Sequence, residues 1–322
     1  MSAKVVWQTK SPIVLESFKQ KKITSIIKGG NVYNFQAAIA LAMKFDVTID
    51  ESAIKQDYHN VLKYYLRHRL NTPQADVTVK ENYPVVVGAI NKNSKNIALI
   101  HHIDKINSGQ SYGHKVFFVE LFRKLRKMDL VITVSEYWKI FLEEHGCKNV
   151  KVIYNSFVPE DYKIEQNDVV EFRKKYSIPD RPIVYIGNAH KQKGVYEAYN
   201  ALKGLDVELI MTEAQNMASD LPVRFLSLSR KEFITLLHAS EVVVLMSKLM
   251  EGWNRVAHEA LLCNTPVVGS GTGGMGELLT KSKQIITTNE AIKENVETVL
   301  KNRNKYIHVG YDYVKQFDMN YF

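Results

Sequence analysis

Short, β-branched apolar runs alternate with stretches of helical periodicity along almost the whole chain. That alternation predicts βα units and parallel sheets rather than a sandwich or a bundle. In the first half, strands are expected at Ile23–Ile27, Val47–Ile49, Val85–Ile90, Ile97–Ile100, Leu130–Val134 and Val150–Ile153. In the second half they are expected at Ile183–Ile186, Val207–Ile210, Val242–Leu245, Pro266–Val268 and Gln284–Ile286. Helical patterns fill the intervals at Tyr33–Met43, Val116–Met128, Val169–Tyr176, Val195–Leu202 and Arg255–Cys263. No solenoid repeat and no low-complexity tract interrupts the series. The polar segment from Asn155 to Asn167 follows one expected strand and precedes an amphipathic helix, so it is the expected boundary. The pattern predicts two α/β, doubly wound, Rossmann-like domains, residues 1–160 and 161–322, facing each other across a cleft. In open sheets of this class, ligands collect beyond the carboxyl ends of the strands.

Length and composition leave that picture intact. The 322 residues suffice for two domains, and 45% apolar content is ordinary for a globular chain. No apolar run approaches the ~18 residues that cross a bilayer, and the N-terminus lacks the layout of a signal peptide. Cys147 and Cys263 form no pairing or zinc pattern, which suits a reducing compartment, and a cytoplasmic protein is expected. Charge adds one asymmetry: residues 1–165 hold 24 Lys and Arg against 16 Asp and Glu, while the remainder is nearly balanced. A basic half suits nucleic acid, an anionic membrane or a phosphorylated substrate. No nucleic-acid motif is present, so nucleic acid is not an expected partner.

The candidate chemistry is concentrated between Ser247 and Leu279. Glu251 and Glu259 lie eight positions apart, with Gly252, Trp253 and Asn254 at the expected start of a helix. At ~1.5 Å rise per residue their backbones lie on the order of 10 Å apart, a separation that suits a diphosphate between a ribose and a sugar. One carboxylate can hold hydroxyls at each end while the free N–H groups near Trp253 and Asn254 meet phosphate. The plainer alternative makes Glu251 a favourable charge at a helix N-terminus and Glu259 a solvated acid. A glycine-rich turn, including Gly273 and Gly274, then opens onto Glu277. Upstream, IVYIGNAHKQKG is a strand running into a polar loop, able to aim Lys193 at a diphosphate with Gly194 easing the turn. Gly29 and Gly30 precede another helix and allow close approach of backbone N–H groups to phosphate or acceptor. Alone, such a pair also describes any βα turn.

The run EGWNRVAHEALLCNTPVV resembles the E-G-x-x-x-x-x-x-E-A core of family 4 glycosyltransferases, retaining enzymes of the GT-B fold. Gly273-Gly274-Met275-Gly276-Glu277 stands where that family usually has Gly-Gly-x-Pro-Glu. The stretch from Asp129 to Ser135, Val152–Asn155 and Gly29-Gly30 are similar landmarks, so the likeness spans nearly the whole chain. It implies that Glu259 binds ribose, that Glu251 binds the donor sugar, and that Lys193 neutralises the diphosphate. It also implies an arginine directly after Gly187, where this chain has Asn188; His190 or Lys191 is left to substitute. A histidine ending the Ile97–Ile100 strand is implied at the reaction centre, and His102 is favoured over His101 because strand alternation sends the two in opposite directions.

No Asp-x-Asp occurs, so positive side chains and helix dipoles are expected to stabilise the departing nucleotide with no metal or other cofactor. Two basic and aromatic segments, Tyr58–Leu70 and Phe117–Met128, suit either interfacial helices or helices packed on a sheet with solvated charges. The expected function is transfer of a sugar from a nucleoside diphosphate sugar to a glycan or lipid-linked acceptor, with peripheral contact to an anionic membrane as a further expectation. The alternatives are a sugar-nucleotide epimerase or hydrolase of the same fold, and a non-catalytic sugar-nucleotide-binding protein.

Overall fold

The computed structural model describes residues 2–22, 29–51, 66, 73–103, 112–213, 218 and 220–321. The strand expected at 23–27 and, apart from Leu66, the basic segment 58–70 lie outside the described residues. The chain divides into two compact units, one ending at Ser156 and the other running from Phe157 to Tyr321. Phe157 goes with the second unit because its N–H donates to the Phe317 carbonyl at 2.9 Å and its ring stacks on His258 at 3.8 Å.

The described strands of the first unit are β1 (Lys4–Gln8), β2 (Asp46–Ile49), β3 (Val77–Glu81), β4 (Lys95–Ile100), β5 (Leu130–Thr133) and β6 (Val150–Val152). They form one sheet in the order β2-β1-β3-β4-β5-β6, and every pairing is parallel. Its helices with both ends among the described residues are α1 (Pro12–Gln20), α2 (Gly30–Ala42), α3 (Asn82–Val87), α4 (Tyr112–Leu125) and α5 (Glu136–Glu144). Parallel neighbours cannot be joined by a hairpin, so each return needs a crossover.

That requirement corrects the strand expected at Val85–Ile90. The valine run belongs to α3, the crossover between β3 and β4, with Pro84 tolerated in its first turn. The sheet place expected for it is taken by β3, VTVKE, whose buried Thr78, Lys80 and Glu81 hid it from a search for apolar runs. Two buried lysines close the end of α3. Lys124 donates to the Val86 and Gly88 carbonyls at 2.5 and 2.6 Å, and Lys80 donates to the Ala89 carbonyl. Cations at a helix C-terminus satisfy its orphan carbonyls and its dipole together.

The second unit repeats the architecture with β7 (Ile183–Asn188), β8 (Glu208–Thr212), β9 (Arg224–Leu226), β10 (Val242–Leu245), β11 (Val267–Gly269) and β12 (Ile285–Ile286). Its sheet runs β12-β11-β10-β7-β8-β9, again parallel throughout. Around it lie α6 (Gln166–Lys175), α7 (Val195–Leu202), α8 (Arg230–Ala239), α9 (Arg255–Leu262), α10 (Gly274–Lys281), α11 (Ile292–Lys301) and α12 (Asn304–Val314). Val184, Ile186, Val242 and Val244 pack under Val195, Leu202, Ile292, Val296 and Val299 on one face. Ile183, Tyr185 and Val243 on the other face are equally buried. A sheet covered on both sides is why these strands read as unbroken apolar runs. The short strands β1 and β9 were not expected, because KVVWQ and RFL are brief and end in polar or loop-like surroundings.

Candidate functional site

Strand order reverses in the second sheet between β7 and β10, which lie side by side. Such a switch point leaves a crevice at the strands' carboxyl ends. Lys193 and Glu251 come from the loops that follow these two strands, and Lys193 Nζ lies 2.6 Å from Glu251 Oε1. The structure thus brings two of the expected site residues into one ion pair, with 31% of the lysine and 13% of the glutamate side chain exposed.

Both loops are held by glycines that no other residue replaces without displacing backbone. Gly194 has φ +70, and a Cβ there would lie 1.9 Å from the Met246 carbonyl oxygen. The Lys191–Lys193 turn therefore lies flush against the end of β10, and Lys248 N–H donates to the Gln192 carbonyl at 2.9 Å. Gly273 has φ +61, with a Cβ position 2.4 Å from the Glu251 carbonyl oxygen. Gly274 N–H donates to that oxygen at 2.8 Å, and Ser270 and Thr272 hydroxyls both donate to the Ser247 carbonyl. The N-terminus of α10 is thereby pinned to the backbone of Glu251. Glu277, in its first turn, pairs with Lys281 at 2.7 Å.

The remaining residues between the two acids are mainly structural. Gly252 lies in a half-buried bend. Trp253 is buried, its indole N–H donating to His258 Nδ1 at 3.1 Å. Asn254 takes φ +70, accepts from Ala257 N–H at 3.0 Å and so caps α9. His258 is enclosed, and burial first, then Arg255, drives its pKa well below the usual histidine value. Asn188 accepts from His190 N–H at 3.4 Å, and His190 Nδ1 accepts from Gln192 N–H at 3.3 Å. Both side chains shape the loop that presents Lys193.

Glu259 is buried rather than solvated, so the plainer alternative does not hold for it. The Tyr162 hydroxyl and the Arg230 guanidinium donate to its Oε1 at 3.2 and 3.0 Å, and Arg255 stands 4.0 Å away. Burial lowers the Arg230 pKa, but Glu259 and Tyr162 outweigh it and hold the guanidinium charged. Burial, followed by Glu259, raises that of Tyr162. Arg230 and Arg255 were missed in the sequence because nothing in RKEF or NRVA marks them as partners of a distant acid.

In the first unit, Gly29 caps α2 with φ 58 and ψ −133, nearly the backbone of Gly273 before α10, at φ 61 and ψ −139. His101 rather than His102 lies against this turn. A Cβ on Gly30 would sit 3.4 Å from the His101 ring, which also meets Tyr33 edge-on and lies 2.6 Å from Asn34 Oδ1 through Nε2. His102 is exposed, and its carbonyl accepts from Asn82 Nδ2 at 3.0 Å. Alternation did separate the two histidines, but the expected choice fell on the outward one. Nearby, Glu81 at the end of β3 accepts from Trp7 Nε1 at 3.1 Å and Thr9 Oγ1 at 2.8 Å. Burial pushes its pKa up to about 7, against hydrogen bonds from Trp7, Thr9 and Asn34 and the charge of Lys10.

Residues 168–313 match the family described as Glycosyl transferases group 1. An uncharacterised glycosyltransferase of Methanocaldococcus jannaschii is 27% identical over 175 residues, 46% of this chain and 44% of that protein. The match thus spans under half of that relative's length. Among solved structures, sucrose-phosphate synthase from Thermosynechococcus elongatus superposes with a TM-score of 0.78 at 15% identity, covering 99% of this chain and 96% of its own. HepE of Anabaena, in complex with UDP-glucose, gives 0.72 at 19% identity and the same coverage. These likenesses establish the fold: two parallel α/β units of the GT-B glycosyltransferase type.

Proposed function

We propose that this chain is a retaining glycosyltransferase of family 4 that moves a sugar from a nucleoside diphosphate sugar to a glycan or lipid-linked acceptor. The observation that carries the reading is the Lys193–Glu251 pair at the switch point of the second sheet, beside the helix N-terminus pinned by Gly273 and Gly274. Lys193 exchanges its carboxylate partner for the diphosphate, and Glu251, released, accepts hydroxyls of the donor sugar. The first-turn N–H groups of α10 add a fixed positive end to the same place. Glu259 accepts ribose hydroxyls, with Arg230 and Arg255 keeping negative charge favourable around it. Charge on the leaving nucleotide is met by these groups without a metal. The match over residues 168–313 supports assigning the donor to the second unit, and the superposition on HepE bound to UDP-glucose supports a nucleotide sugar.

Calorimetric titration with UDP, UDP-glucose and the corresponding GDP and ADP compounds tests this directly. At least one intact donor is expected to bind with micromolar affinity, and binding is expected to survive EDTA. No affinity for any of them would remove the proposal.

The enzyme is further proposed to work in the cytoplasm at the surface of an anionic membrane. On α4, Tyr112, Val116 and Val119 are exposed on one side, in a unit of marked positive charge that includes Lys115 and Arg123. No helix among the described residues is long and apolar enough to cross a membrane. Flotation with vesicles containing anionic lipid is expected to carry the protein upward, and neutral vesicles are expected to leave it behind.

A further inference from the structure

The first sheet has its own switch point, between β1 and β3, and a second polar cluster occupies its carboxyl end. Trp7 and Thr9 come from β1 and the residue just beyond it, Glu81 from the last position of β3, and His101 from just past β4. Asn34, buried at the start of α2, lies between the carboxyl and the imidazole. We propose that Glu81 is a positioning residue for a saccharide-binding wall in this unit, setting through Asn34 the tautomer and angle of the His101 ring beside the Gly29–Gly30 turn. That the ligand is a sugar rests on the glycosyltransferase reading; the relay itself does not.

Donors and acceptors in the cluster must match one another. An ionised carboxylate only accepts, and here it receives Trp7 N–H, Thr9 O–H and the Asn34 amide. An amide whose NH2 faces Glu81 turns its oxygen toward His101, and that oxygen accepts from Nε2–H at 2.6 Å. The neutral imidazole is therefore protonated at Nε2. When Glu81 takes up a proton, its hydroxyl must donate. Asn34 Oδ1 accepts from it once the amide has turned over, the NH2 then faces the ring, and the ring proton moves to Nδ1. Lys10 is the charged group acting on Glu81, while Trp7, Thr9 and Asn34 face it as neutral donors and His101 lies beyond Asn34. A ring that offers a donor in one state and an acceptor in the other meets a sugar hydroxyl differently in each. The cluster is thus a binding wall whose preference follows solvent pH.

The test uses the full chain labelled with ¹⁵N-histidine and needs no substrate. Long-range ¹H–¹⁵N spectra, with His101 assigned from its loss in H101N, report the tautomer of the neutral ring across pH 5.5–8.5. In the wild type the ring is expected to change from Nδ1–H to Nε2–H as pH rises, with a midpoint near the Glu81 titration at about 7. E81Q, which keeps the shape and removes the titration, and N34A, which cuts the relay, are both expected to abolish the change. A tautomer change that survives in either folded variant overturns the proposal. A wild-type ring that keeps one tautomer throughout overturns it without any variant.

Discussion

At the scale of single residues, two acids at two switch points behave differently because their surroundings differ. Glu251 is paired with Lys193 and retains contact with solvent, so it is a group that a ligand can recruit. Replacing Glu251 or Lys193 by alanine is expected to lower turnover of the nucleotide sugar by about 10²–10³-fold, the usual effect of removing one group that meets developing charge. Steady-state kinetics, with circular dichroism to confirm folding, measures it. Glu81 is buried, and its folded pKa of about 7 lies above the unfolded carboxyl value of 4.5. The folded state thus binds the proton more tightly. The stability this confers is complete below pH ~4.5 and is lost as pH rises through 7, a loss of about 3 kcal/mol for a shift of this size. His258 acts in the opposite sense. Its lowered pKa gives stability above the ordinary histidine value of 6.5 that is lost as pH falls below it. Denaturant titrations at pH 5 and pH 8 are expected to show the Glu81 contribution as a difference absent from E81Q. Glu251 and Lys193 were legible in the sequence because each follows a recognisable apolar strand. Glu81 was not, since the strand it terminates, VTVKE, was itself missed, and Asn34 gains meaning only from neighbours brought to it by the sheet.

At the scale of elements, glycines fix how closely loops approach strand ends. Gly194 and Gly273 combine positive φ with backbone oxygens 1.9 and 2.4 Å from where a methyl group would stand, whereas Gly30 has ordinary φ and 3.4 Å of room. G194A and G273A are each expected to lose about 2–3 kcal/mol from strain alone and to weaken donor binding by displacing the loop. G30A is expected to change stability by less than ~1 kcal/mol. Thermal melts of the three variants side by side distinguish these outcomes. Most elements were visible from periodicity, and Val195–Leu202 coincides with its expected range. Val85–Ile90 is the exception. It carries strand propensity, yet a crossover was required at that place, and the buried Lys124 ammonium holds the resulting helix end. Local preference yielded to topology.

At the scale of the whole molecule, the proposed donor groups Lys193, Glu251, Glu259 and α10 all belong to the unit from Phe157 to Tyr321, which has its own core. A fragment beginning at Phe157 is expected to fold and to retain nucleotide affinity within about tenfold of the full chain, while transferring no sugar. Calorimetry with UDP on both proteins checks the first part and product analysis the second. The alternation of elements made the parallel α/β class legible from the residues alone, and most strands with it, but β1, β3 and β9 escaped it. The pairing of Arg230 with Glu259 depends on distant segments and left no trace in spacing. The Lys193–Glu251 contact has a kinetic consequence for the proposed cycle. The empty enzyme is its own competitor, since the carboxylate contests the cation with any incoming anion. An intact donor compensates the displaced carboxylate with hydroxyls, but a spent nucleotide offers it nothing. Recapture of the lysine then helps turn the by-product out, and the site resets itself for another round.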